Sequence, residues 1–341
     1  MSGVDHTVNV GGPWYEDLDV GQRFDSAPGL TLTGGHATLH QAIVGDRLRL
    51  PLDAALGEQV VGRGACVAHP ALVCDVAIGQ STVPTQRVIA NLFYRGLVLR
   101  RAPRIGETLR TSTEIVALRD VSPRPDRRPS GLAVLRVRTV DELERRVLDF
   151  HRCAMLPMRE NATAPGHADD LDAISDELAP ELLGAAVAGW DLAAYRELVP
   201  GPHADGLVPG ARYEIEGGDT VTCAPELARL SLNVAAAHAD PAAGGRGRRL
   251  VYGGHTIGIA LAQATRAVSN IVTVVAWRSC DHLSPVFEGD VLRSVVTVGA
   301  IEPLGELDGA VVDLHVETSA DRVDGAGREA VLDWRLVVVM A

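Results

Sequence analysis

The sequence contains no lysine: all 32 basic residues in its 341 are arginine. That excludes chemistry built on a lysine amine, such as a Schiff base, a pyridoxal phosphate anchor or a P-loop phosphate clamp. Paired cysteines are also missing. Cys66, Cys74, Cys153, Cys223 and Cys280 are odd in number, scattered, and never in C-x-x-C spacing. This argues against a zinc ribbon or a disulfide framework and for reduced thiols in the cytoplasm. No run approaches the roughly 18 apolar residues that a membrane span needs. Met1 to Asn9 has neither a basic n-region nor an apolar h-region, so no signal peptide is expected. Positive charge is in deficit: the net charge is −12. Nucleic acid and anionic membrane both need a basic face, so neither is an expected partner. An anionic small ligand stays open, because a few local arginines suffice to hold one. The chain lacks G-x-G-x-x-G after a strand, H-E-x-x-H and G-x-S-x-G. Nicotinamide, zinc-protease and serine-esterase readings therefore lack their signatures. No metal and no cofactor are expected.

What is present is a weak internal repeat. Val20-Gly21-Gln22-Arg23-Phe24 recurs as Pro209-Gly210-Ala211-Arg212-Tyr213. A threonine and a helix-like stretch follow each, Thr33 to Val44 and Thr222 to Val234. A second helix pattern, apolar and rich in small residues, begins at Ala68-His69-Pro70-Ala71 and at Gly253-Gly254-His255-Thr256. A Gly-acid turn then leads into strands, at Gly106-Glu107 and Gly289-Asp290. Each half closes on a β-rich segment, Val147-Leu148-Asp149-Phe150 and Val331-Leu332-Asp333-Trp334. Five elements in the same order predict two domains, 1–159 and 207–341, joined by an Ala/Pro/Asp-rich connection over 160–206. Asp169 to Leu183 within that connection reads as an acidic surface helix.

One long helix followed by several Val- and Thr-rich strands is an α+β arrangement and not a doubly wound one. Ile257 to Val268 is apolar on nearly every face and full of Gly and Ala. Such a helix must be surrounded, and its small residues let a curved sheet come close. The expected architecture is two fused hot-dog domains, each an antiparallel sheet wrapped around a central helix.

Tyr15-Glu16-Asp17-Leu18, Asn91-Leu92-Phe93-Tyr94, His282 to Asp290 and above all Gly247-Arg248-Arg249-Leu250-Val251-Tyr252-Gly253-Gly254-His255 resemble the MaoC-like dehydratase family in its two-repeat form. The resemblance covers both halves. It implies a cofactor-free hydro-lyase that adds water to, or removes it from, an acyl-CoA thioester, with a branched or dicarboxylic acyl group as one option. The family's hydratase motif carries an Asp with a His five residues later, on a segment overhanging the active site. Here His238 takes the histidine position and Asn233 the aspartate position. Asn cannot accept a proton, so it can only hold water or thioester by hydrogen bonds.

Hydration needs a base for the attacking water and a donor for the charge that grows on the thioester oxygen. His238 is the expected base, with Asp240 a candidate to orient its ring. Gly254 N–H, at the head of the buried helix, is the expected oxyanion donor; it could equally be a glycine kept for close packing. Tyr252 and His255 are candidate substrate contacts; His255 could instead be the proton donor to Cα, or a helix N-terminal residue satisfied by the backbone. Arg246, Arg248 and Arg249 could reach the CoA phosphates or form a solvated basic loop. For a free carboxylate on the acyl group, Arg249, Arg278 and Arg95 are candidates. In the first half Asp46 matches the family's Gly-Asp, but Pro51 stands where the histidine belongs, and His69 is followed by Pro70, which has no N–H. That half reads as a degenerate copy that builds the wall and a tunnel for the CoA arm, with Asp46 read as a loop aspartate in preference to a catalytic acid. Two alternatives stay open: thioester hydrolysis on the same fold, and a non-catalytic acyl-CoA or acyl-carrier binding module. A homodimer or higher homo-oligomer is the default assembly, because hot-dog sheets leave exposed edges.

Overall fold

The computed structural model describes residues 7–8, 10–64, 66–124, 127–243, 247–305 and 307–341. The first half runs β1 (Arg23–Phe24), β2 (Leu30–Thr31), α1 (Gly34–Val44), α2 (Arg49–Leu52), α3 (Ala54–Val60) and α4 (Pro70–Gln80). Four long strands follow: β3 (Ala90–Leu99), β4 (Thr108–Asp120), β5 (Ser130–Val140) and β6 (Arg146–Pro157). After α5 (Leu192–Leu198) the order repeats as β7 (Arg212–Glu214), β8 (Asp219–Thr220), α6 (Ala224–Leu230) and α7 (Gly253–Ala267). Then come β9 (Ile271–His282), β10 (Val291–Pro303), β11 (Ala310–Asp321) and β12 (Arg328–Met340).

All the strand pairings are antiparallel and build one sheet in the order β1-β4-β5-β6-β3-β9-β12-β11-β10-β7, with β2 on β4 and β8 on β10. The halves meet where β3 pairs with β9, Tyr94 opposite Cys280 and Leu97 opposite Trp277. The sheet curls around α4 and α7, which pack on each other. Every residue of α4 is buried, and so is every residue of α7 from Gly254 to Thr265. This is the double hot-dog, α+β architecture that the sequence pattern predicts.

Local chemistry sets the helix ends. Thr33 caps α1 by accepting the His36 N–H at 3.3 Å, and Gly45, at φ 72°, closes it. His69 caps α4 through Nδ1, which accepts the Ala71 N–H at 3.1 Å, and Pro70 takes the first helical position. The repeat is written in side-chain bonds as well. Gln80 and Gln263 end equivalent stretches of α4 and α7, and each donates to the carbonyl of an equivalent strand residue, Leu109 at 3.0 Å and Leu292 at 2.9 Å.

The connection between the halves departs from its expected form. Asp169 to Leu183 is not a helix; it carries only short 3-10 turns at Leu171–Ala173 and Pro180–Leu182. Leu171, Ile174, Leu178 and Leu182 have helical spacing, but Pro180 interrupts the run, and the segment is held instead by inward contacts of Leu171, Leu178, Leu182 and Leu183. The connection as a whole is packed, with Trp190, Leu192, Tyr195 and Val199 all buried. Among the described residues no helix is long and apolar enough to cross a membrane.

Candidate active site

A cavity of about 210 Å³ opens where the segment after α6 crosses the end of α4 and the start of α7. The second half lines it with Asn233, His238, Tyr252, Gly253, Thr256 and His282. The first half contributes Thr82, Thr85, Asn91, Tyr94 and Arg152. Ile78, Val88, Val251 and Val286 make it largely apolar. Among the described residues no Asp or Glu lines it.

The crossing segment is fixed from both sides. Leu232, at φ 60°, turns the chain out of α6, which is why that helix stops short of the expected Val234. Val234 N–H then donates to Thr82 Oγ1 at 3.0 Å and Ala236 N–H to the Gln86 carbonyl at 2.9 Å, so the second half is tied to the first. Asn233 Oδ1 accepts the Ala235 N–H at 2.9 Å in an Asx turn, and the residue lines the cavity.

His238 follows on this segment and is buried. Its Nδ1 lies 2.9 Å from the Leu250 carbonyl. A carbonyl can only accept, so Nδ1 carries the hydrogen and Nε2 holds a free lone pair. Burial pulls the ring's pKa below the ordinary value, against the opposing effect of the Leu250 bond. The imidazole is therefore a neutral base near pH 7. Tyr252 sits edge-on to it, ring centroids 5.7 Å apart. Burial, with Asp75 nearby, holds the Tyr252 phenol protonated.

Three expectations need correction. Asp240 does not orient His238: it is exposed, and its Oδ1 accepts the Ala242 N–H at 2.9 Å. Gly254 stands behind the cavity wall, and Gly253 forms the wall. A Cβ at Gly254 would lie 2.0 Å from Asp75 Oδ1 and 2.5 Å from the Tyr252 ring, so its missing side chain serves the approach of α7 to α4. His255 does not line the cavity. It is fully buried, with desolvation driving its pKa down to about 4, and neither ring nitrogen has a hydrogen-bond partner among the described residues. Asp46 does lie in a loop, between α1 and α2, but it is buried, accepts the Leu48 N–H at 2.6 Å, and lies 3.1 Å from His69 Nε2.

The candidate phosphate-binding arginines are engaged at the surface. Arg248 lies over the Phe287 ring and pairs with Asp324 at 3.4 Å, and Arg249 pairs with Glu288. Arg246 lies outside the described residues. Of the candidates for a free carboxylate, Arg249 is thus occupied, and Arg95 and Arg278 pair with Asp281 and Asp313. Sequence reasoning missed His282 and Arg152. His282 Nε2 would be only 2.6 Å from a Cβ at Gly253, and burial lowers its pKa to about 4. Both residues sit in strands, where only knowledge of the sheet's inner face would have singled them out. Among the described residues no group of three or more His, Cys, Asp or Glu is placed to hold a metal ion.

No family model matches the chain. A curated mesaconyl-CoA hydratase from Cereibacter sphaeroides is 28% identical over 294 residues, which cover 83% of this chain and 82% of that one. Among solved structures, a conserved hypothetical protein from Mycobacterium tuberculosis with a double hot-dog fold is 50% identical. It superposes with a TM-score of 0.91 over 98% of this chain and 100% of its own. A putative MaoC domain protein dehydratase from Chloroflexus aurantiacus, 24% identical with a TM-score of 0.84 over 98% and 99% of the two chains, shares the fold.

Proposed function

We propose that this double hot-dog chain is a MaoC-like dehydratase and that it reversibly adds water across the C=C bond of an enoyl-CoA thioester, a reading supported by its likeness to a mesaconyl-CoA hydratase. The observation that carries this reading is His238. Its Nδ1–H is committed to Leu250, and the ring lines a largely apolar cavity together with Gly253, the first residue of α7. In hydration, His238 Nε2 takes a proton from water as the hydroxide oxygen bonds to Cβ. The π electrons of the C=C bond move to Cα and onto the thioester oxygen. The imidazolium then gives its proton to Cα, which restores both the carbonyl and the neutral ring. N–H groups in the first turn of a helix have no intrahelical acceptor and sit at its positive pole. Gly253 N–H is therefore the donor we assign to the thioester oxygen, in place of Gly254. Asn233 holds the water. With no carboxylate among the described lining residues, one imidazole serves as base and then as acid.

A dry cavity of about 150 Å³ takes a benzene ring, so this one suits a short acyl group and not a fatty chain. Mesaconyl-CoA and its hydration product β-methylmalyl-CoA are the specific pair we put forward, supported by the name of the Cereibacter relative. Arg248 and Arg249, beside the lining residue Leu250, are placed to exchange their surface carboxylates for CoA phosphates. The scattered cysteines fit a cytoplasmic setting, and a homo-oligomer remains our expected assembly. The test is to incubate the protein with mesaconyl-CoA and crotonyl-CoA and follow loss of enoyl-thioester absorbance. Turnover of either supports the reading. Release of free CoA without loss of the double bond would replace it with thioester hydrolysis, and saturable binding without any reaction would leave a binding module.

A further inference from the structure

Among the described residues Arg152 is the one arginine or carboxylate-type charge on the cavity wall, and hydration as described does not use it. It is 3% exposed and shares the inner face of β6 with Phe150. Its Nε donates to Ser81 Oγ at 3.0 Å, and Nη2 donates to the Ser81 carbonyl at 2.7 Å and to Thr85 Oγ1 at 2.8 Å. Nη1 reaches only Asn91 Oδ1, at 3.5 Å. All four acceptors are neutral. Among the described residues no carboxylate pairs with it, in contrast to Arg95, Arg249 and Arg278. A buried charge without a counter-ion is costly, and proteins almost always pair it.

The fold does not require a cation there. The closing strands align as Leu148-Asp149-Phe150-His151-Arg152 and Leu332-Asp333-Trp334-Arg335-Leu336. The second half therefore places buried Leu336 where the first has Arg152. The weakest of the four bonds, to Asn91, is made by the terminal nitrogen that a ligand would compete for, and Asn91 lines the same cavity.

We propose that Arg152 binds a free carboxylate on the acyl group, so that the cavity selects short acyl-CoA thioesters that carry a second, ionised carboxyl. A planar guanidinium suits a carboxylate through paired N–H bonds, and in a dry site the pair is strong. Asn91, through its side-chain amide, is a second contact for the same group. The inference rests on the hydration reading for its reaction, but its core is a statement about binding.

The test compares mesaconyl-CoA, which has the extra carboxylate, with crotonyl-CoA, which lacks it. In wild-type protein kcat/KM should favour mesaconyl-CoA, and in Arg152→Gln that ratio should fall by about 100-fold or more. Arg152→Lys, which keeps the charge without the planar fork, should fall between. An unchanged ratio in Arg152→Gln overturns the assignment. So does wild-type protein that hydrates crotonyl-CoA and ignores mesaconyl-CoA, although hydration then stands. If neither thioester is turned over, hydration fails on its own, and calorimetric affinities of wild-type protein decide the question. Tighter binding of mesaconyl-CoA than of crotonyl-CoA sustains the role of Arg152, and equal affinities overturn it. These wild-type measurements hold even if Arg152→Gln does not fold.

Discussion

The Leu250 carbonyl leaves His238 one protonation pattern, with the hydrogen on Nδ1 and the lone pair on Nε2. Two consequences can be measured. Removing the base, as in His238→Ala, should lower kcat by about two to four powers of ten; a near-normal rate would end its assigned role. Because burial lowers the ring's pKa, the active neutral form persists as pH falls past the ordinary imidazole value of about 6.5. The acid limb of the kcat/KM profile should accordingly lie below that value. At this scale the sequence was readable where a motif named the residue, as it did for His238, Asn233 and Tyr252. It was not readable for Arg152 and His282, because a strand position becomes meaningful only once pairing shows which face it occupies. Asp240 illustrates the opposite error, since proximity in sequence placed an acid beside His238 and the turn pointed it to solvent.

At the scale of elements, the start of α7 separates two glycines that the sequence could not tell apart. Gly253 touches the cavity and His282, while Gly254 touches Asp75 on α4. Gly254→Ala should therefore cost stability, about 1–3 kcal/mol by overpacking, read as a lower urea midpoint. Gly253→Ala should act chiefly on kcat/KM, because its Cβ would push His282 at the wall. If Gly254→Ala abolished turnover and left the midpoint untouched, the donor assignment would return to Gly254. Helix identity was legible here because unbroken apolarity with small residues demands a surrounded helix. The ends of α6 and the absence of a helix over Asp169 to Leu183 were not, since backbone at Leu232 decided the one and Pro180, inside an otherwise helical apolar spacing, stands in the other.

Buried imidazoles also bear on the whole molecule. His255 and His282 have folded pKa values of about 4, well below the unfolded value of about 6.5. Between these limits the unfolded chain binds more protons than the folded one, so stability rises with pH across that window and is lost as pH falls through it. The unfolding free energy, read from urea midpoints, should be nearly level above pH 7 and drop between pH 6 and pH 4 by about a few kcal/mol per ring. A flat profile across that range would mean that both rings find partners or water in solution.

The repeat suggested two domains, one catalytic and one eroded. The structure shows why they are not independent. The sheet is continuous through β3 and β9, so separating the halves leaves two long unpaired edges, each prone to association. The cavity is divided in the same way: His238 and Gly253 come from the second half, and Thr82, Asn91 and Arg152 from the first. What the sequence presents as a degenerate copy therefore supplies one wall of the candidate cavity. A chain of residues 207–341 expressed alone should be poorly soluble and inactive with any enoyl-CoA, as judged by size-exclusion chromatography and loss of enoyl absorbance. Co-expression with residues 1–206 should restore both properties if β3 and β9 can pair between chains. A soluble, fully active second half would mean that the cavity as drawn is not where the reaction takes place.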